Sequence, residues 1–152
     1  MRAINHALTG AVIGLAVPVP ALALPAALLS HYVCDAIPHH GPAKPSAKHL
    51  KSKRFAQVLF IDALACVLLV LLLAVNRPAN WVLAGVCAFI ATLPDVAWLP
   101  KWLNARHRRP APAALHWHNR FAARIQWFER PIGGVVEVVW FAAFVSVLIT
   151  YL

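Results

Sequence analysis

Residues 55–75 read FAQVLFIDALACVLLVLLLAV, and this stretch decides the fold. Its only charged residue is Asp62, and it matches the roughly 20 helical residues needed to cross the hydrocarbon core of a bilayer. Ala79–Leu99 and Pro131–Leu152 are similarly apolar. The whole chain is 61% hydrophobic and 12% charged, which exceeds the apolar usage of soluble domains. We therefore expect an all-α, polytopic integral membrane protein that forms one domain over residues 1–152.

A fourth apolar stretch, Ala7–Ser30, is interrupted by three prolines and allows two topologies. It either crosses the membrane once or forms a hairpin, in which the turn Pro18-Val19-Pro20 joins helices over Ile4–Val17 and Ala21–Ile37. Proline breaks a helix interior, and the residue before a proline disfavours helical geometry, so the two closely spaced prolines favour the hairpin. The hairpin also places Arg2 on the same side as the other basic residues. It gives a helical bundle of about five membrane helices.

The net charge of +9 is concentrated in the loops over residues 38–54 and 100–130, whereas Arg77 alone occupies the short connection between the clear spans 55–75 and 79–99. Two crossings separate the basic loops, so they share a side, and positive charge in short loops marks the cytoplasmic side. We expect a multi-pass protein of the bacterial inner membrane with its N-terminus and basic loops in the cytoplasm. Orientation explains the basicity, so we expect anionic lipids rather than nucleic acid as partners. Homo-oligomer formation is left open.

The loop over 100–130 also contains a helical pattern between Ala113 and Glu129, with an apolar stripe that is typical of a helix lying in the headgroup plane. The stripe consists of Trp117, Phe121, Ile125 and Phe128. The predicted organisation is a hairpin over 4–37, a basic loop over 38–54, two membrane helices over 55–99, a basic loop with an interfacial helix over 100–130, and a last membrane helix over 131–152.

Ionisable residues in the apolar segments cluster towards the predicted cytoplasmic side. His31 and Asp35 lie one helical turn apart and share a face, and His39 would fall near that face if the helix continued. Such side chains are costly in lipid unless they pair, face a polar cavity or bind an ion. The hairpin brings His6 and Asp95 to the same depth. The sequence therefore predicts a divalent metal site, with Zn²⁺ favoured over Mn²⁺ or Mg²⁺, and the candidate ligands are His6, His31, Asp35, His39 and Asp95.

Further residues at this depth suit proton transfer and phosphate binding. Asp95, His118 and Glu137 are the candidates for catalytic proton transfer, because imidazoles and carboxylates serve as general acids and bases. Arg120 and Arg124 are candidate contacts to a substrate phosphate, which guanidinium groups bind bidentately.

Three sequence pieces carry a family resemblance: His6-Ala7-Leu8-Thr9-Gly10, His31-x-x-x-Asp35 and Leu93-Pro94-Asp95. Together they resemble the small bacterial inner-membrane metal-dependent hydrolases, a family best known for a LexA-regulated member. The L-P-D step follows the H-x-x-x-D step here, the reverse of the usual family order. The R-G-x-T-H-S segment of the family is missing, and Arg120 with His118-Asn119 is at best a partial counterpart. The resemblance implies a metal site of this class.

The leading hypothesis is a membrane-embedded metal-dependent hydrolase that acts at the cytoplasmic leaflet on a lipid or polyprenyl phosphate ester. The alternatives are an ion- or proton-coupled transporter, a metal-binding membrane protein, and a structural subunit of a membrane complex. One-sided placement of the ionisable residues disfavours transport, because a conduction path needs polar groups in both halves of the bilayer.

Overall fold

The computed structural model of the chain describes residues 1–41, 47–97, 99–106, 121, 124–125 and 132–152. Within these residues the backbone forms seven α-helices and no β-strand, as the sequence predicts for an all-α chain. In chain order the helices are α1 (Ala3–Ala16), α2 (Pro20–Ala36), α3 (Ala47–Lys51), α4 (Lys53–Asn76), α5 (Trp81–Val96), α6 (Leu99–Arg106) and α7 (Gly133–Ile149).

The N-terminal segment folds as a helical hairpin. Helices α1 and α2 agree with the predicted hairpin helices to within one residue at each end, and they pack against each other. Val17 and Val19 both have extended backbone conformations, because each precedes a proline that excludes helical geometry. Pro20 occupies the first turn of α2, where its missing N–H group costs nothing. The choice between one long helix and a hairpin is therefore settled by local sterics.

Helix α2 ends at Ala36, and this removes His39 from the helical face that carries His31 and Asp35. Ile37 is extended because it precedes Pro38. The helix does not continue to His39, so His39 does not join that face. The backbone of His39 instead packs so closely against Gly133, at the start of α7, that a Cβ there would overlap it.

Helix α4 is the one described helix that is long and apolar enough to cross a membrane. It has 24 residues, a mean hydropathy of 3.1 in its most apolar window, and a length of about 36 Å at 1.5 Å per residue. Ser52 caps its first turn by accepting a hydrogen bond from the Phe55 N–H group, and Arg77 ends it in a left-handed conformation. The other predicted spans appear as shorter apolar helices, α5 with 16 residues and α7 with 17.

Helix α1 lies at the centre of the described bundle and packs against α2, α4, α5 and α7. Small residues permit this position. A Cβ at Gly10 would overlap the Cys87 carbonyl and the Ala91 side chain of α5, and a Cβ at Gly14 would overlap the backbone at Ala84. Close approach through small residues is the usual way for apolar helices to associate in membranes, where packing replaces the hydrophobic driving force.

Two short helices lie in the segments predicted as basic loops. Helix α3 falls within 38–54 and α6 within 100–130, and the two pack together, with Trp102 Nε1 donating to the Leu50 carbonyl at 3.0 Å. The pairing joins segments about fifty residues apart, which local sequence patterns do not reveal. The predicted interfacial helix over 113–129 falls largely outside the described residues, apart from Phe121, Arg124 and Ile125, which are helical.

The close contact between α1 and α5 predicts opposite responses to the same substitution at two glycines. Gly10→Ala should lower the free energy of unfolding by about 1–3 kcal/mol, because the added methyl group overlaps α5. Gly85→Ala, where no atom lies within 4 Å of the new Cβ, should be neutral or stabilise by up to about 1 kcal/mol through helix propensity. Denaturant unfolding in detergent measures both values, and equal effects would contradict the observed packing.

Candidate metal centre

Four ionisable side chains from three helices meet at the open end of the hairpin formed by α1 and α2. They are His6 on α1, His31 and Asp35 on α2, and Asp95 on α5. His6, His31 and Asp35 are buried, and the Asp95 side chain is 36% exposed. The structure thus brings together four of the five residues predicted as metal ligands. Asp95 is the member of the set that an external molecule can reach most easily.

Three histidine–carboxylate pairs among the four side chains approach within 4 Å. His6 Nε2 lies 3.2 Å from Asp35 Oδ1 and 3.9 Å from Asp95 Oδ2, while His31 Nε2 lies 3.3 Å from Asp35 Oδ2. The imidazole rings of His6 and His31 stack with their centroids 4.0 Å apart. One ligand atom each from His6, His31 and Asp95 can be chosen so that all three lie within 4.8 Å of one another. Two ligands at about 2.1 Å from one zinc ion are at most about 4 Å apart, so small side-chain movements would complete the shell.

His31 is oriented for coordination through one specific nitrogen. Its Nδ1 atom lies 2.8 Å from the Ala91 carbonyl oxygen on α5, which has no proton to donate, so we assign the N–H group to Nδ1. In the neutral ring, Nε2 then carries the lone pair and faces the carboxylates. A backbone carbonyl that holds the second ring nitrogen in this way is a common feature of metal-bound histidines.

His6 supplies the observation that tests whether a metal fits. Its side chain is completely buried, and neither ring nitrogen has a hydrogen-bond partner among the described residues. The 3.2 Å approach of Nε2 to Asp35 is an electrostatic contact without the angles of a hydrogen bond. A buried polar group without a partner is costly. A cation held between Nε2 and the carboxylates would remove that cost, so the donor set fits a divalent metal.

Asp35 lies between the two imidazoles and balances the charge of the cluster. Its Oδ1 atom contacts His6 and also lies 2.6 Å from the amino group of Met1, while Oδ2 contacts His31. One carboxylate therefore contacts positive or proton-bearing groups from α1, α2 and the segment before α1. In this position Asp35 offers metal-binding oxygens and fixes the orientation of the two imidazole rings.

Asp62 of α4 fixes the start of α1 and thereby the position of His6. Its Oδ2 and Oδ1 atoms accept hydrogen bonds from the backbone N–H groups of Ala3 at 2.8 Å and Ile4 at 3.0 Å. A carboxylate at a helix N-terminus satisfies otherwise unpaired donors and interacts favourably with the helix dipole. The sequence identifies Asp62 as an unusual charge in an apolar span, but only the tertiary structure shows that it caps another helix.

Glu137 lies in a separate polar group that joins α1 to α7. Its backbone carbonyl accepts from Asn5 Nδ2 at 3.2 Å, and its Oε2 atom is 3.9 Å from Arg2 Nε. The neighbouring Thr9 hydroxyl donates to the Asn5 carbonyl and accepts from Trp140 Nε1 at 3.0 Å. Glu137 is buried, but it is not a member of the His6, His31 and Asp95 group.

The remaining predicted site residues are His39, His118, Arg120 and Arg124, and the structure does not assign them to this group. His39 is buried, with Nδ1 at 2.9 Å from the Ile37 carbonyl, and it too is not a member of the His6, His31 and Asp95 group. His118 and Arg120 lie outside the described residues, and Arg124 is exposed. The ring of Phe121 meets Tyr32 edge-on at 5.4 Å, and Tyr32 meets His31 in the same way at 5.3 Å. This chain of aromatic contacts places at least one residue of the 107–131 segment beside the centre.

Removal of a ligand should lower metal affinity. We expect His6→Ala and His31→Ala to weaken Zn²⁺ binding by more than about tenfold, since even changes outside the first coordination shell cost this much. His49→Ala is the control, because His49 is exposed on α3, its ring contacts Phe55 at a tilt, and it is not a member of the His6, His31 and Asp95 group. Metal content of the purified proteins gives the readout, and acidification should release the metal as protons compete for the imidazole nitrogens. Equal metal content in all three variants would leave the cluster with a structural role.

Comparison of the chain with protein-family models, with curated proteins and with solved structures finds no match, so the conclusions about the centre rest on its own geometry and sequence.

Proposed function

We propose that the chain is a membrane-embedded, metal-dependent hydrolase that acts at the cytoplasmic leaflet on a phosphate ester of a lipid or polyprenol. The observation that carries the proposal is the convergence of two buried imidazoles and two carboxylates, with His6 lacking any hydrogen-bond partner among the described residues. These are the usual ligands of hydrolytic metals. The half-exposed Asp95 gives the site an open side, which a purely structural metal site does not need.

The proposal includes a bundle of about five membrane helices, formed by α1, α2, α4, α5 and α7. It is supported by the length of α4 and by the many large apolar side chains on its outer face, such as Phe60, Leu68 and Leu71, which are more than half exposed. Such a surface is costly in water and natural in lipid. The shorter helices are accommodated by tilt or local thinning of the bilayer. The basic loops assign the end with the metal centre to the cytoplasm of a bacterial cell.

A divalent ion, with Zn²⁺ favoured, would supply Lewis-acid polarisation of the phosphate ester and of water when bound to this set of ligands. His6, His31 and Asp95 would hold it, and Asp35 would keep both imidazoles oriented. In the proposed hydrolysis, a water oxygen forms a bond to phosphorus while the bond from phosphorus to the alcohol oxygen breaks. The carboxylate of Asp95, through the oxygen that does not hold the ion, would take a proton from the water and pass it to the oxygen of the leaving alcohol.

Other predicted residues have roles that follow from charge and position. Arg124 and Arg120 would bind the phosphate, since guanidinium groups form paired hydrogen bonds with phosphate oxygens. His118 and Glu137 are the further candidates for proton transfer. Glu137 has one buried carboxylate oxygen, Oε1, without a hydrogen-bond partner among the described residues, which leaves it able to accept a proton.

Substitution of Asp95 tests the chemistry. Asp95→Asn should keep the fold, because the amide is nearly isosteric and the side chain is partly exposed. Phosphate release from lipid phosphates should fall by about two to four orders of magnitude, as expected for loss of a proton acceptor. Ser146→Ala, an exposed position on α7, is the control. Wild-type protein that stays inactive with Zn²⁺, Mn²⁺ and Mg²⁺, or an active Asp95→Asn variant, would contradict the proposal.

The orientation of α4 can be tested by cysteine labelling in a background in which the three native cysteines are replaced by alanine. Lys51→Cys and Asn76→Cys introduce exposed thiols just before and at the end of α4. We expect a membrane-impermeant maleimide added to intact spheroplasts to label Asn76→Cys and to reach Lys51→Cys only after the membrane is permeabilised. Labelling of both from the same side would show that α4 does not cross.

A further inference from the structure

An apolar groove runs along the surface between α4 and α5 and begins beside the metal centre. Its first part is a cavity of about 260 Å³ lined by residues that include Ala7, Cys66 and Thr92, and its second is a cavity of about 340 Å³ lined by residues that include Trp81 and Gly85. Val70 and Phe89 line both cavities, so the two form one feature, the α4–α5 groove. Phe89 is 59% exposed, which leaves the groove open to the surroundings of the bundle.

The near end of the α4–α5 groove is lined by residues that are close in sequence to two of the candidate metal ligands. Ala7 directly follows His6 on α1, and Thr92 lies one helical turn before Asp95 on α5. Asp95 is also the most exposed member of the ligand set. A molecule lying in the groove would therefore have one end at the accessible side of the metal ligands.

The walls of the α4–α5 groove fit a hydrocarbon chain rather than a polar ligand. No charged residue lines either cavity, and the Thr92 hydroxyl is already engaged by the Phe89 carbonyl at 2.8 Å. From Thr92 to Trp81 the groove extends about 17 Å along α5 at 1.5 Å per residue. At Gly85 the space beyond the backbone is empty, with no atom within 4 Å of an added Cβ.

Charge at the near end completes the match to an anionic amphiphile. Helix α4 runs antiparallel to α5 through the short connection after Asn76, so its basic first turn, with exposed Lys53 and Arg54, lies at the same end of the hairpin as Asp95. A molecule with a negative headgroup and one long apolar tail matches this arrangement. Its headgroup would lie at the end with the metal ligands and basic residues, and its hydrocarbon tail would lie along the groove.

We propose that the α4–α5 groove binds one hydrocarbon chain of the substrate, so that the enzyme selects long-chain alkyl or prenyl phosphates. This inference rests on the proposed hydrolase function and adds to it a specificity site whose far part is lined by Gly85. A bulky side chain at Gly85 would then shorten the chain that the groove accepts without touching the metal ligands.

The test compares hexyl phosphate with hexadecyl phosphate in detergent with Zn²⁺, on wild-type protein and on Gly85→Leu, Gly85→Ala and Gly134→Leu. Gly134→Leu is the matched control, because its new Cβ also has room, with the His40 Cβ atom 4.0 Å away, and Gly134 on α7 lines neither cavity. Phosphate release gives kcat/KM, and titration calorimetry gives binding of each alkyl phosphate independently of turnover.

We expect Gly85→Leu to lower binding and kcat/KM for hexadecyl phosphate by about tenfold, the discrimination that one misfitting methylene produces in an apolar pocket. Hexyl phosphate should be unaffected, Gly85→Ala should cause a smaller loss than Gly85→Leu because its side chain is shorter, and Gly134→Leu should behave like the wild type. An equal loss of binding and kcat/KM with both chain lengths, or no loss with either, would overturn the proposal that the groove binds the hydrocarbon chain. A change in oligomeric state with Gly85→Leu would instead assign this face to a second copy of the chain and would also overturn it.

Failure of the groove and failure of the hydrolase function are separable. If wild-type protein hydrolyses both alkyl phosphates and Gly85→Leu leaves their ratio unchanged, the hydrolase stands and the groove is wrong. If no protein releases phosphate while Gly85→Leu still selectively weakens hexadecyl phosphate binding, the groove stands as a lipid site and the hydrolase function is wrong.

Discussion

The close approach of α1 to α5 is the constraint on which the rest of the structure depends. Gly10 and Gly14 leave no space for a side chain against α5, and this lets α1 occupy the centre of the bundle. Once α1 is there, His6 lies beside the last turns of α2 and α5 and is completely buried. A bulkier residue at either glycine would move the helix axis outwards and carry His6 away from Asp35 and Asp95. The ligand set is thus a consequence of backbone packing several residues away from it.

Polar side chains in this apolar bundle are placed so that they hold helices to one another. Asp62 of α4 caps α1, Asn5 and Thr9 of α1 bond to α7, and the Ala91 carbonyl of α5 holds His31 of α2. Hydrogen bonds between membrane helices are individually modest, typically about 1 kcal/mol. Their greater effect here is geometric, because each one fixes the rotation of a helix about its axis. The metal centre is the point at which α1, α2 and α5 all present such groups, and His6 is the member left without a hydrogen-bond partner among the described residues.

The candidate metal site and the α4–α5 groove both use helix α5. The same helix therefore bears on the stability of the bundle and on the proposed substrate specificity. Helix α5 uses Cys87 and Ala91 to contact α1, Asp95 to reach the metal centre, and Gly85 with Phe89 to line the groove. These functions occupy different faces and depths of one helix. Under the proposed function, a substitution on the groove face would alter the chain that is accepted without disturbing the packing that positions His6 and Asp95. The contrasting surroundings of Gly10, which is tightly packed, and Gly85, which is open, illustrate this division within the same pair of helices.

The sequence by itself determined the apolar helices, the hairpin turn around Pro18-Val19-Pro20 and the placement of His31 and Asp35 on one helical face. All three depend on local geometry: apolar composition, the steric effect of proline on the preceding residue, and the helical repeat that brings residues four apart onto one face. The break at Pro38 that removes His39 from that face is equally local. Only the tertiary structure decided that His6 and Asp95 meet this pair, that Asp62 caps α1, and that Glu137 belongs to a separate group with Asn5. Those contacts depend on how far apart the helices lie and how each is rotated, which packing of small residues sets and a one-dimensional pattern does not contain.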